Sequence, residues 1–293
     1  MGCIFIILAI SAGLIKGFCG KKISGLVSTV KGTFYINLIR MLMCVAIGFL
    51  IVISNGYLAF KIDITTFLIA VVSGISTAMF VVSWILCVRR GAYIMIDVFL
   101  MLGGGLTIGL CKLFFNETVS INQLIGFVLL VIASCIMCSY SSSIKSGFSF
   151  SSFLLLVVCG VFNGLADFSQ KCYIYSQPTG SVGIFNFYTY LFAAVVLLIS
   201  FVIADKREKT ENDGKSLKVF FVMCVMAVCL FANSYFKTMA AKFLPSAVLY
   251  PLSSGMGIVL SAIMAAIFFK EKITPKCIIG IMVALGAIII MNL

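Results

Sequence analysis

Five charged side chains stand where charge is expensive. Lys16, Arg40, Asp97, Asp167 and Lys171 each interrupt a long apolar run. A charge near the centre of a bilayer costs at least about 2.5–3.5 kcal/mol, so such a residue faces a cavity or a partner. Lys16 offers a point cation, and Arg40 a planar fork that matches a carboxylate or phosphate. Asp97, about five residues into its run, is placed to exchange protons, because removal from water favours the neutral form of a carboxyl. Asp167 could do the same or grip a substrate. Each has a plainer reading as well. Asp167 and Lys171 are one helical turn apart and could pair. Asp97 could pair with Arg89 or Arg90, Arg40 with a carbonyl or an acid, and Lys16 and Lys171 could snorkel to the interface.

Uncharged polar groups add to the set. Asn163 lies one turn before Asp167 on the same helical face. Tyr188, Asn233 and Trp84 also interrupt apolar runs, as do Ser83, Asn186, Tyr190, Ser234 and Tyr235. A few amides, phenols and charges in an apolar surround are what orients a small ligand, although for any one of them helix–helix contact is the simpler role. The expected substrate-binding set is therefore Lys16, Arg40, Trp84, Asn163, Asp167, Tyr188 and Asn233, with Asp97 and Asp167 as proton-coupling candidates. No catalytic residue, cofactor or metal ligand is expected. The chain has no histidine, its 12 cysteines are scattered along apolar runs, and it carries no P-loop, HExxH or GxSxG sequence. The Cys135-x-x-Cys138 pair sits in such a run and reads as two small hydrophobes.

The elements that must position these residues follow from composition. Of 293 residues 62% are hydrophobic and 10% are charged, and mean hydropathy is +1.23. A soluble domain carries about 25% charged residues. Lipid is the solvent that can cover this much apolar surface, and helices are the spanning structure that satisfies its own backbone. At about 20 residues per span, ten spans are expected: 2–20, 33–54, 65–87, 92–113, 119–140, 151–174, 182–204, 217–238, 246–269 and 274–292. The first reads as a retained helix, since it lacks a basic leader and a cleavage site.

The net charge of +12 sits mostly in short connections, where it sets orientation and does not suggest nucleic acid. Odd-numbered connections hold 14 Lys and Arg and even-numbered ones four, Lys61, Lys112, Lys237 and Lys242. The positive-inside rule then places the odd connections in the cytoplasm and both termini outside.

The halves repeat. Phe114–Gly126 (FFNETVSINQLIG) aligns without a gap on Phe268–Gly280 (FFKEKITPKCIIG) at an offset of 154. The same register pairs Gly103 with Gly257. An offset of 151 pairs Gly13-Leu14 with Gly164-Leu165, and Lys16 with Asp167. The expected division is a first unit at 1–140, a Ser-rich linker at 141–150 and a second unit at 151–293. Five spans is an odd number, so the second unit enters the membrane from the opposite side. The expected fold is all-α, with about ten transmembrane helices in two five-helix inverted repeats, an architecture that recurs in secondary transporters.

On these residues the chain resembles the drug/metabolite transporter superfamily, in its ten-span form with two EamA-type repeats. The turns at Asn116-Glu117-Thr118 and Lys270–Thr274, each followed by a glycine-bearing fifth span, resemble the family unit. Arg40 resembles an arginine that the family often carries in its second span. Pro251 stands where members often have a proline early in a fourth span, and Asp97 takes that place in the first unit. The resemblance implies a basket-like helical transporter of small organic solutes, usually with cytoplasmic termini, the opposite of the orientation that the charge count gives. The expected setting is a bacterial cytoplasmic membrane, the expected state monomeric or homodimeric, and the missing catalytic motifs leave no enzymatic activity expected. The resemblance also implies secondary active transport of a small organic metabolite by alternating access, an amino acid or related solute moved outward and coupled to protons or another ion. A lipid-linked-sugar flippase and a multidrug efflux pump are the alternatives on the same fold.

Overall fold

A computed structural model describes residues 1–24, 29–54, 56, 62–90, 93–138, 150–205, 217–269 and 275–291. They form ten helices in chain order: α1 Gly2–Ser24, α2 Val30–Ser54, α3 Ile64–Arg89, α4 Tyr93–Phe115, α5 Ile121–Cys138, α6 Phe150–Ser176, α7 Val182–Asp205, α8 Leu217–Ala241, α9 Ser246–Phe269 and α10 Pro275–Met291. No strand occurs among the described residues. Each helix matches an expected span, and several overrun it, because a helix does not stop where the hydrocarbon does. Among the described residues α1, α2, α3, α6, α7 and α8 contain stretches long and apolar enough to cross a membrane by length and composition. The described apolar stretches of α4, α5, α9 and α10 are shorter, 99–115, 121–133, 246–260 and 278–290. The linker expected at 141–150 lies outside the described residues except for Phe150.

Local chemistry sets the ends. Asp63 caps α3, its carboxylate accepting from the Thr65 N–H at 3.1 Å, which satisfies a donor that the first turn leaves open. Asn116 ends α4 with φ of 51°. Asn tolerates this left-handed conformation better than most residues.

Neighbouring helices run in alternating directions, and contacts between their connections define two ends of the bundle. At one end Arg89, the last residue of α3, donates to the Thr29 carbonyl before α2, and Arg90 donates to Ser151 and Ser152 at the start of α6. At the other end Phe5 of α1 stacks on Phe243 after α8, and Lys242 donates to the Gly180 carbonyl before α7. These are the odd-connection and even-connection ends.

The packing repeats when each helix is exchanged for the one five places on. α1 packs on α8 as α6 packs on α3, and α1 on α9 as α6 on α4, while α2 lies on α7, α4 on α9 and α5 on α10. A two-fold relation between halves gives this pattern. The closest approach is between α4 and α6. A Cβ at Gly103 would run into the Gly160 carbonyl, and one at Gly164 into the Gly103 carbonyl. Thr107 bridges the same crossing, donating to the Gly103 and Gly164 carbonyls at 3.1 and 2.9 Å. Small residues let membrane helices approach this closely. Large apolar side chains such as Ile7, Leu68, Ile199, Phe221 and Met282 face outward, as lipid contact requires.

Candidate functional site

Between the two halves lies a cavity of about 160 Å³. Lys16 from α1, Trp84 from α3, Asp97 from α4, Asn163 from α6 and Asn233 and Lys237 from α8 line it, with Ser253 and Ser254 from α9. Phe80, Leu14 and Leu100 give it an apolar part. Five of the eight residues expected from sequence therefore share one wall. They come from the middle of the bundle and, on α1, α3 and α4, from the half nearer the odd-connection end.

Asp167 stands behind this wall. Its carboxylate oxygens accept from the Lys237 ammonium at 2.9 and 2.8 Å, and the two side chains are 7% and 12% exposed. Its backbone carbonyl accepts from the Tyr250 hydroxyl of α9 at 2.8 Å, and the Lys237 ammonium lies 5.6 Å from the Tyr250 ring. So α6, α8 and α9 meet at one buried charge pair. The partner of Asp167 is neither Lys16 nor Lys171. Lys237 also lies inside α8, not in the connection to which the charge count assigned it. The excess on odd connections stands without it.

Lys171 turns to the even-connection end. Its ammonium donates to the Ala241 and Leu244 carbonyls at 3.0 and 2.7 Å and lies 3.4 Å from the Glu117 carboxylate. Glu117 also accepts from the Ser246 N–H at 2.9 Å and the Tyr175 hydroxyl at 2.8 Å, and from the Ser246 hydroxyl. The Phe115 and Tyr175 rings stack at 4.1 Å beside it. Partial burial alone would raise the Glu117 pKa, but the hydrogen bonds from Ser246 and Tyr175 and the charge of Lys171 hold it below the ordinary value. This clamp joins the α4–α5 turn to α6 and to the N-terminus of α9, where the helix dipole also favours negative charge. Its repeat counterpart, Glu271, lies outside the described residues.

Arg40 is buried, donating to Asn37 Oδ1 at 2.6 Å and to Met226 Sδ at 3.3 Å. It does not line the main cavity. Tyr188 does not line it either: it packs edge-on to Phe187, with ring centroids 5.2 Å apart, and joins the aromatic cluster of α7. Asn186 and Ser234 bond each other at 2.7 Å across α7 and α8, and the Tyr190 hydroxyl donates to the Leu230 carbonyl at 3.2 Å. These groups hold helices together. Asn233 has both roles, since its amide also donates to the Ala9 carbonyl at 2.7 Å.

Sequence reasoning missed Lys237 and the clamping role of Glu117. A signal for Lys237 was present: Asn233-x-x-x-Lys237 repeats the spacing of Asn163-x-x-x-Asp167, and the two turns face each other. The Glu117 clamp had no sequence signal beyond its place in the repeat, because all its partners are distant in the chain.

Comparison with known proteins fits this geometry. The EamA-like transporter family matches residues 151–293. A solved structure described only as a crystal structure of a protein superposes with a TM-score of 0.76, covering 99% of this chain and 95% of that one at 11% identity. At that identity the likeness concerns the fold. Among curated proteins nothing matches.

Proposed function

We propose that this chain, whose residues 151–293 match the EamA-like transporter family, is a secondary active transporter of a small organic metabolite in the drug/metabolite transporter superfamily. The observation that carries this reading is the cavity between the halves, lined by Lys16, Trp84, Asp97, Asn163, Asn233 and Lys237. At about 160 Å³ it suits a solute of amino-acid size better than a large drug, and its mix of apolar and charged groups suits an amphiphilic one.

The mechanism we infer is alternating access. The cavity lies in the middle of the bundle and reaches toward the odd-connection end through Lys16, Trp84 and Asp97, while the Glu117–Lys171–Ser246 cluster lies at the even-connection end. We infer that in this state the even-connection end is the closed one, with the Asp167–Lys237 pair at the back of the cavity and the Glu117 cluster beyond it. By the positive-inside rule the odd connections are cytoplasmic, so the cavity faces the cytoplasm, as suits the first step of export. Exchange of conformations between two inverted halves would open the other end. Asp97 on the wall is the proposed proton-coupling group.

The test is a thermal-shift screen of the purified protein against amino acids, nucleosides, sugars, cationic drugs and lipid-linked sugars, followed by flux of the hits in proteoliposomes. A water-soluble solute that both stabilises the protein and is carried supports the reading. Transfer of lipid-linked substrates alone would replace it with a flippase.

A further inference from the structure

The geometry points to a carboxylate subsite between Lys16 and Arg40, so that the cargo of this transporter carries a carboxylate. This rests on the transporter reading and adds the chemistry of the ligand.

Arg40 is 2% exposed. A guanidinium stays charged in proteins, and its hydrogen-bond partners here are one amide oxygen and one thioether sulfur. Its Nε is buried and has no partner. The Lys16 ammonium lies 5.7 Å from the centre of the Phe80 ring. Among the described residues neither cation has a carboxylate at ion-pair distance. The Asp167 carboxylate behind the cavity wall is already neutralised by Lys237. Leaving the buried Arg40 charge uncompensated is strongly unfavourable, and Lys16, partly buried on the cavity wall beside it, adds a second cation, so the anion is a group that the ligand brings.

Shape selects the anion. Lys16, Arg40, Phe80, Val81, Trp84 and Met226 line a side chamber of about 10 Å³. That is room for about one water-sized group. The chamber adjoins the main cavity, sharing Lys16, Phe80 and Trp84 with it. A planar carboxylate can place one oxygen in the chamber and leave the rest of the solute in the larger space. A phosphate or sulfate group that placed one oxygen there would leave further charged oxygens against Phe80 and Val81, which offer no donor. The Trp84 wall is itself set by sequence, because a Cβ at Gly20 would strike the indole ring.

Trp84 is the single tryptophan of the chain, so its fluorescence reports this place directly. Purified protein in sodium methanesulfonate is titrated with a panel of amino acids and simple organic acids, the matching amides, inorganic phosphate and sodium chloride. The expected result is a saturable change with one or more carboxylates, weakened about tenfold or more in the matching amide, and absent with phosphate and chloride. Lys16→Gln and Arg40→Gln should each weaken the carboxylate response by a similar factor, with Arg40→Lys between. The ligand panel on the unsubstituted protein decides the matter even where a variant fails to fold. Phosphate or chloride reproducing the change would overturn the subsite. So would an amide binding as well as its acid, which would leave the transporter reading in place. Silence from every solute here, together with no flux of any solute in proteoliposomes, would sink both.

Discussion

The Lys237 ammonium lies 2.8 Å from one Asp167 oxygen and 2.9 Å from the other, joining α8 to α6 at the back of the cavity. Lys237 also lines the cavity. One cation thus touches both the cavity and the buried charge pair that joins α6 to α8.

This pair gives the first prediction. Lys237→Met leaves the Asp167 carboxylate buried without its partner, which costs about 3–5 kcal/mol. Asp167→Asn leaves Lys237 with a path to the cavity and costs less. Asp167→Asn combined with Lys237→Met should recover much of the loss of Lys237→Met alone. Thermal unfolding in detergent measures all three, and purely additive losses would show that the two residues do not act as a pair.

The Glu117 clamp gives the second. Its pKa is held below the ordinary value. A carboxyl depressed in the folded state contributes stability that is complete above its unfolded pKa and is lost as pH falls through the folded one. The clamp should therefore be insensitive between about pH 6 and 8 and weaken only below about pH 4. Glu117→Ala should speed hydrogen exchange of the Ser246 amide, which Glu117 accepts at 2.9 Å, at neutral pH. Unchanged exchange would mean that the N-terminus of α9 is held by other contacts.

The α4–α6 crossing gives the third. Gly103→Ala and Gly164→Ala each push a Cβ into facing backbone, which cannot move aside as a side chain can. Each should destabilise the protein by about 1–3 kcal/mol or more. Gly109→Ala, with nothing within 4 Å of its added Cβ, is the control and should be neutral or slightly stabilising. Thermal melts of the three variants read the difference.

Orientation gives the fourth. Cys3 is exposed near the start of α1, at the even-connection end. With odd connections in the cytoplasm, a membrane-impermeant maleimide should label Cys3 on intact cells, and Cys3→Ser should remove that label. Labelling of Cys3 only in inverted vesicles would place the termini in the cytoplasm.

Much of the fold was legible because lipid imposes a simple rule. Every span had to be an apolar helix, so runs of hydrophobic residues translated almost directly into α1–α10. The side chains on the cavity wall were legible for the same reason: Lys16, Asp97 and Asn163 are costly in lipid and so had to face inward. Partners were not legible. Asp167 could have paired with Lys171 by spacing alone, and three-dimensional packing brings Lys237 instead. Tyr188 and Arg40 show the limit from the other side. A polar residue in an apolar run must be placed somewhere, but Tyr188 finds its place in an aromatic cluster, and Arg40 lies off the main cavity, bonded to Asn37 and Met226 and lining the side chamber. Polarity alone does not say which of these outcomes applies.

The central claim is that the space beside Asn163 opens to each side of the membrane in turn. Asn163→Cys tests it without knowledge of the cargo. An impermeant thiol reagent is applied to right-side-out and to inverted vesicles, and labelling above that of the unsubstituted chain is measured. Alternating access predicts added labelling from both faces. Added labelling from one face alone, under every condition and with every solute that the protein binds, would contradict it.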